Sequence, residues 1–437
     1  MIAETFHRRD GRLWCEGVDL ADLAERWGTP LYVYSATAVR RRVRRFRTAF
    51  AGLPVRFCYA VKANPHLALL RLLAREGVGA DTVSAGEIRR AVRAGIAPAD
   101  IVFAGVAKTD EEIRLALELG ILQFNVESRE ELARIDAIAG ALGRTAPVAL
   151  RVNPDVAAAT HDKIATGRRT DKFGLPPEEA VDAVRLAARL PHVTPVGIHL
   201  HIGSQITDLA PFRTAYARVF ALVDRLAGEG IRLRRLDLGG GFGVRYRDEE
   251  PVAPEAVAAL VAELLAGREL ELVFEPGRAF VAEAGVLLTR VVYRKESAGR
   301  HLLVVDAGMN DLLRPALYDA WHGILPVTAA DAPEETVDVV GPVCESGDVL
   351  GRRRRLPQLA RGDLLAIATV GAYGAAMAST YNSRPRPAEV LVAGDRAVRI
   401  TPRREPEEDM ARECIPAWLD GAGATSPGGG DGDGGPP

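Results

Sequence analysis

Cysteine is scarce in this 437-residue chain: Cys15, Cys58, Cys344 and Cys414 stand far apart, with no CxxC pair among them. That spacing offers neither a zinc-ligand set nor a disulfide framework, so no metal is expected and a reduced cytoplasm is the default compartment. Aromatic residues make up only 6% of the chain, and no apolar run approaches the ~20 residues a membrane-spanning helix needs. Met1 to Gly11 mixes acidic and basic residues without an apolar core, which does not read as a secretory signal. Net charge is missing too: Lys+Arg 56 against Asp+Glu 58 leaves −2, which gives no general pull toward nucleic acid or an anionic membrane. The arginine runs Arg40 to Arg42 and Arg352 to Arg355 are local and read as solvated faces. There is no internal repeat of fixed period.

Hydrophobic residues at 48% and charged residues at 26% match a soluble globular protein. At this length two domains are the natural reading, although an α/β barrel alone can occupy roughly 250 residues. Near the start, Asp10-Gly11-Arg12 reads as a turn, Leu20 to Trp27 as a helix and Thr29 to Tyr34 as a β-rich run. From Ser35 short apolar strands alternate with amphipathic helices. The strands end near Val61, Val83, Ala104, Val126, Val152, His201, Leu238 and Glu275. Between them lie helical stretches at Leu67–Glu76, Ala85–Ala94, Glu111–Leu119, Arg129–Leu142, Pro177–Leu190, Pro211–Gly228 and Pro254–Leu265. That alternation predicts a (β/α)8 barrel over 35–284, with a doubly wound sheet as the competitor. After Gly285, β-rich runs take over at Val286–Tyr293, Leu302–Asp306, Thr336–Val340, Asp363–Thr369 and Glu389–Val392. They predict a second, mainly β domain over 285–420 that also takes in strands from 1–34. The Gly/Pro/Asp tail at 421–437 is expected to be disordered.

A barrel enzyme builds its site on the C-terminal ends of its strands, and unusual polar residues fall there. Lys62 follows the first strand in Tyr59-Ala60-Val61-Lys62-Ala63-Asn64; a lysine at the lip of a buried strand is expected to have a lowered pKa and a free amine able to attack a carbonyl. Asp81 lies in the second strand, Arg151 and Asn153 end the fifth, and His199 to Gln205 end the sixth. Gly239, Gly240 and Gly241 after the seventh strand either cradle a phosphate or make a plain tight turn. Arg278 after the eighth, with Ser204, adds phosphate-compatible donors. A phosphate site facing a lysine points to a phosphorylated aldehyde cofactor, and pyridoxal 5'-phosphate fits. Glu275 is placed to pair with its ring nitrogen or to bridge to Arg278, and His201 to stack on a flat ring or to be a buried hydrogen-bonded histidine. In the second domain, Arg314 and Tyr318 suit a carboxylate, Cys344 and Glu345 set a thiol beside an acid unless the cysteine is an inert buried residue, and Tyr373 adds a loop hydroxyl that packing would equally explain.

Together YAVKAN, HLHIGSQ, GGGFG, EPGR, NDLLRPALYDAWH, GPVCESGD, GAYG and YNSRPRP resemble the diaminopimelate decarboxylases, over about Gly11 to Pro416. These are pyridoxal 5'-phosphate enzymes whose fold is shared with ornithine and arginine decarboxylases, and the RPALY and CESGD segments make the resemblance specific. It implies decarboxylation of meso-diaminopimelate to L-lysine, the last step of lysine biosynthesis, with Lys62, His201 and Cys344 as catalytic residues. Lys62 would bond the cofactor, His201 would stack on its ring, and Glu275 would pair with the pyridine nitrogen. Ser204, Gly239 to Gly241, Pro276, Gly277, Arg278 and Tyr373 would surround the phosphate. Arg278, Arg314, Tyr318, Glu345 and Tyr373 would contact substrate, and Cys344 would donate a proton. The resemblance further implies a homodimer in which the Cys344-Glu345 loop completes the neighbour's site. A related decarboxylase acting on ornithine, arginine or a carrier-linked amino acid, and a silent cofactor-binding homologue, are the competing readings.

Overall fold

The computed structural model describes residues 4–156 and 172–420; the tail from 421, expected to be disordered, lies outside them. Strands β1 (Phe6–Arg9), β2 (Arg12–Cys15) and β3 (Val18–Asp19) form a small antiparallel sheet, turned at Asp10 and Gly11. The Asp19 side chain accepts from Ala21 N and starts α1 (Leu20–Trp27). β4 (Leu31–Ser35) follows, and Ser35 caps α2 (Ala36–Ala49) by accepting from Ala38 N.

The barrel strands are β5 (Val55–Ala60), β6 (Gly79–Thr82), β7 (Ile101–Phe103), β8 (Gln123–Val126), β9 (Ala146–Val152), β10 (Val193–Leu200), β11 (Arg235–Asp237) and β12 (Glu271–Phe274). All pair in parallel, and β12 closes onto β5 through Leu272 opposite Val55 and Phe274 opposite Phe57. Closure rules out the doubly wound alternative. Each strand ends within one residue of its expected end. Between the strands run α3 (Leu67–Arg75), α4 (Ala85–Ala94), α5 (Asp110–Leu119), α6 (Arg129–Ala141), α7 (Pro177–Ala187), α8 (Leu209–Gly228) and α9 (Pro254–Leu265). Their starts are written in short polar side chains: Ser84 and Ser128 accept from Glu87 N and Glu131 N, and Thr109 with Glu112 forms a reciprocal capping box. Gly95 and Gly120 end α4 and α5 in the left-handed region at φ 92° and 70°, where a side chain would be strained.

α2 is fastened to the barrel by an aromatic cluster. Phe46 meets Phe57, Phe242 and Phe280 edge-on, with ring centroids 6.0, 5.1 and 5.2 Å away. The Arg40–Arg42 run is not the solvated face it resembled: only Arg41 is exposed, while half-buried Arg42 pairs with Glu283 and Arg40 with Glu76.

After α10 (Arg278–Val281), the chain builds a nine-stranded sheet. Its strands are β13 (Gly285–Ser297), β14 (Arg300–Val305), β15 (Ile324–Pro326), β16 (Glu334–Val340), β17 (Val349–Pro357), β18 (Leu364–Ala368), β19 (Ala388–Ala393) and β20 (Arg396–Thr401), with α11 (Arg314–Tyr318) between β14 and β15. The main path runs β17-β16-β14-β13-β4-β19-β20, so β4 lies inside this sheet, and β18 joins β13 to β15. β15, β17 and β20 were not legible as strands. β15 is three residues long, β20 is a largely exposed edge, and the four arginines of β17 hide its alternation. A bulge in β17, with Arg353 at φ 49° donating its N–H to Asp338 Oδ1, turns Arg354 inward. Arg354 is therefore 9% exposed and lies over the Trp321 ring at 4.4 Å, contrary to a solvated reading of the whole run.

Phe46→Ala should cost about 3–5 kcal/mol, because the surrounding aromatics cannot collapse into the space it leaves. Chemical denaturation would read this as a lower midpoint; an unchanged midpoint would mean that α2 is not held by this cluster.

Candidate active site

One cavity of about 770 Å³ opens at the C-terminal ends of the barrel strands, between the barrel and loops of the β-rich region. Lys62, His201, Ser204, Gly241, Glu275, Gly277, Arg278, Arg314, Tyr318 and Tyr373 all line it. Gly239, Gly240 and Pro276 are buried behind that lining. Two sequence candidates are elsewhere. Cys344 and Glu345 lie exposed on a loop that does not reach the cavity of their own chain. That loop is nevertheless built firmly: buried Asp348 accepts from Val343 N at 2.7 Å and Met309 N at 2.6 Å, and Asn382 Oδ1 accepts from Cys344 N at 2.8 Å.

Lys62 leaves β5 on a single helical turn, and its Nζ lies 3.2 Å from Asp81 Oδ2 in β6. The expectation of a lowered pKa does not hold. Burial alone would lower it, but the charges of Asp81, Tyr373 and Glu275 outweigh that and raise it. The reason is geometric: the ammonium stands in an open cavity, with 40% of its side chain exposed, and directly faces a carboxylate. Asp81 is itself pushed up to about 7, by burial first and by Glu275 second. The ammonium therefore keeps its proton at neutral pH, beside a carboxyl that burial and the nearby Glu275 carboxylate make hard to ionise.

Glu275 does not bridge to Arg278. Its Oε1 accepts from Asn125 Nδ2 at 3.2 Å and its Oε2 lies 3.3 Å from His199 Nε2. Burial would raise this carboxyl, but His199 and Lys62 pull it below the usual range, which keeps an anion at the inner end of the cavity. Beneath it, Asp237 accepts from Gln123, Asn125 and Gly239 N, and burial pushes its pKa well up. Asp237, His199 and Glu275 place ligand-type atoms within 4.8 Å of one another, and amide and imidazole donors already occupy them. His201 Nδ1 accepts from Gly240 N at 3.2 Å; burial, then the charge of Lys62, lowers its pKa to about 3. The imidazole is therefore neutral.

The glycines are required by contact. A Cβ at Gly240 would lie 2.3 Å from Glu275 O, and one at Gly241 2.7 Å from Gly203 O. Arg278, 6% exposed, donates to Tyr246 Oη at 2.6 Å and Ser204 Oγ at 2.9 Å, and its buried Nε has no protein partner among the described residues. Tyr373 lies under the Arg278 guanidinium at 4.9 Å. Its backbone is in the left-handed region at φ 57°, and its N–H donates to Ala63 O at 2.7 Å, tying the β-rich region to the Lys62 turn. Arg314, also 6% exposed, donates to His322 and stacks on Tyr246 at 4.7 Å.

Tyr246, His322 and Trp321 were not identified as site residues from the sequence. Tyr246 follows the glycine loop at a strand end, where it could have been suspected. His322 is the last residue of NDLLRPALYDAWH, but only the fold shows that its ring turns back onto Arg314.

Residues 36–282 match the family model described as pyridoxal-dependent decarboxylase, pyridoxal binding domain. The chain is 51% identical over 412 residues to the diaminopimelate decarboxylase of Pseudomonas aeruginosa, covering 94% of this chain and 99% of that protein. Among solved structures, diaminopimelate decarboxylase from Helicobacter pylori complexed with L-lysine is 43% identical, with TM-score 0.86 over 89% of this chain and 97% of that one. The enzyme of that name from M. jannaschii, also with L-lysine, is 40% identical, with TM-score 0.92 over 96% and 100%.

The buried imidazole of His322 generates a pH prediction. Its pKa is lowered to about 3, by burial first and the Arg314 charge second. Below about 6.5 the unfolded chain binds a proton that the folded chain refuses, so this group's stability contribution is lost as pH falls from about 6.5 toward 3, by up to about 1.4 kcal/mol per unit. Asp81 and Asp311, both pushed up to about 7, act in the opposite sense, so the informative quantity is a difference. Denaturant stability of His322→Phe should fall less steeply than wild type across that window. Parallel slopes would show that His322 is not buried as a neutral ring.

Proposed function

The chain belongs to the diaminopimelate decarboxylase family of pyridoxal-dependent decarboxylases, and from that membership we propose that it removes one carboxyl group of meso-diaminopimelate as CO2 to leave L-lysine. The observation that carries this reading is the pairing, in one cavity, of a lysine at one end with two guanidinium groups that no described carboxylate neutralises.

The residues fit pyridoxal 5'-phosphate. Lys62 would hold its aldehyde end, neutral His201 would lie against its ring, and anionic Glu275 would face its ring nitrogen. Gly239, Gly240 and Gly241, Ser204, Pro276, Gly277, Arg278 and Tyr373 would surround its phosphate; the unpartnered Nε of Arg278 matches that use. When bound, the cofactor supplies an electron sink for the pair released as the carbon–carboxylate bond breaks. Asp81 Oδ2, at 3.2 Å, is the acceptor to which Lys62 Nζ can pass its proton. Arg314 and Tyr318 would grip the carboxylate at the far end of the substrate, which ornithine and arginine lack at that position. Arg278 and Tyr373 border the same space.

A proton must then reach the reacting carbon, and Cys344 is the proposed donor, with Glu345 pairing to the substrate's distal ammonium. Both stand outside their own chain's cavity on an exposed loop braced by hydrogen bonds to Asp348 and Asn382. A homodimer in which each loop enters the partner's cavity brings them to the chemistry. No described helix is long and apolar enough to cross a membrane. The cytoplasm is the compartment this reading implies.

Purified protein supplied with the cofactor should release CO2 from meso-diaminopimelate far faster than from ornithine or arginine. Turnover of either of the latter with none of the former would transfer the chain to a different substrate class, and cofactor binding without CO2 release from any of them would make it a silent homologue. Lys62→Ala should lose the absorbance of covalently held cofactor. Lys62→Ala and Cys344→Ala, each inactive alone, should recover about a quarter of wild-type activity when dissociated and remixed, since half of the reassorted dimers carry one intact site. No recovery after proven subunit exchange would place both residues in one chain's site.

A further inference from the structure

Arg314 is held by an unusual partner. Its Nη1 lies 2.8 Å from His322 Nε2, and the other ring nitrogen, Nδ1, lies 2.9 Å from the main-chain oxygen of Ala368 in β18. Those two contacts fix the tautomer. A carbonyl oxygen only accepts, so Nδ1 carries the hydrogen; a guanidinium only donates, so Nε2 is bare. An imidazolium would set an N–H against an N–H. The ring is fully buried, and Tyr246 closes the assembly: His322 meets it edge-on at 5.3 Å, and Arg314 stacks on it at 4.7 Å.

We propose that His322 is a positioning residue, which aims the Arg314 guanidinium into the cavity through a neutral acceptor and so leaves its whole positive charge for a substrate carboxylate. A carboxylate at this position would hold the arginine equally well in space but would cancel the charge the substrate is to meet. An apolar ring would leave the charge and lose the aim. Ala368 O belongs to the β13–β18 ladder, so the chain of hydrogen bonds anchors Arg314 to the rigid part of the second sheet rather than to a loop. The inference rests on Arg314 being the group that reads the substrate's distal carboxylate.

The test uses the cofactor-loaded enzyme and three variants. His322→Phe should raise KM for diaminopimelate about ten- to a hundred-fold while kcat stays within about three-fold, the pattern of a lost binding contact away from the reacting carbon. His322→Gln, which can accept from Arg314, should recover most of the loss. His322→Glu should not, although the two side chains are nearly the same size. Inhibition separates charge reading from general damage: L-lysine, which keeps a carboxylate, should inhibit His322→Phe and His322→Glu at least about ten-fold more weakly, whereas cadaverine, which has none, should inhibit all forms alike. Unchanged cofactor absorbance would show that the cofactor end is intact. Should His322→Phe not fold, the Gln and Glu pair carries the test, and equal KM values for those two would overturn the proposal. Arg314→Ala tests the reading beneath it. If that variant keeps a wild-type KM, both fall; if it loses substrate affinity while His322→Phe does not, only the role of His322 falls. In the Arg314→Ala background, His322→Phe should add nothing further, and an additive effect would again count against it.

Discussion

Two guanidinium groups share one cavity without a described carboxylate to pair with either, and much of the site's construction answers that constraint. Like charges in a partly dry space repel, and Arg314 is lowered from its ordinary range, first by burial and in part by Arg278. The protein holds them with neutral groups instead: a serine hydroxyl, a tyrosine hydroxyl and ring, and an imidazole. Tyr246 touches both cations, one through its oxygen and the other through its face. Asp81 and Glu275 act on Lys62, and Glu249, which also lines the cavity, is taken up by the N–H groups of Tyr246 and Arg247.

The second sheet is what closes this arrangement over the barrel. Its connections supply Arg314 and Tyr318 on α11 and Tyr373 on a loop, and two hydrogen bonds reach the Lys62 turn: Tyr373 N to Ala63 O, and Asn64 Nδ2 to Gly371 O at 3.1 Å. A tyrosine at positive φ costs on the order of 1 kcal/mol or more, which those ties must offset. The position of Tyr373 under Arg278 follows from that strained backbone, not from a choice of rotamer alone.

The barrel could be read from the chain because its periodicities are local: short apolar strands, capped helices and glycine stops recur in register, and the polar residues that break the pattern fall at strand ends. The cavity residues Lys62, His201, Glu275, Arg278 and Arg314 were visible for that reason. Three things were not. The charge state of Lys62 depends on Asp81 in the neighbouring strand, a contact made only when the barrel closes. The inward turn of Arg354 depends on a bulge, which composition cannot reveal among four arginines. The roles of Tyr246 and His322 depend on side chains meeting across the interface between barrel and sheet. Cys344 and Glu345 were singled out by motif, and a single chain leaves them outside its own cavity.

The neutral cradle around the arginines has a consequence for how the molecule meets a changing environment. Guanidinium groups do not deprotonate in proteins, and the histidine that holds one of them stays uncharged down to about pH 3. The positive charge that these two arginines present to the cavity is therefore fixed, insensitive to the acidity around it. The group that titrates near neutrality is Asp81, pushed up to about 7, whose Oδ2 lies 3.2 Å from Lys62 Nζ. A change in acidity near neutrality therefore alters the charge beside the lysine and leaves that of the two arginines as it is.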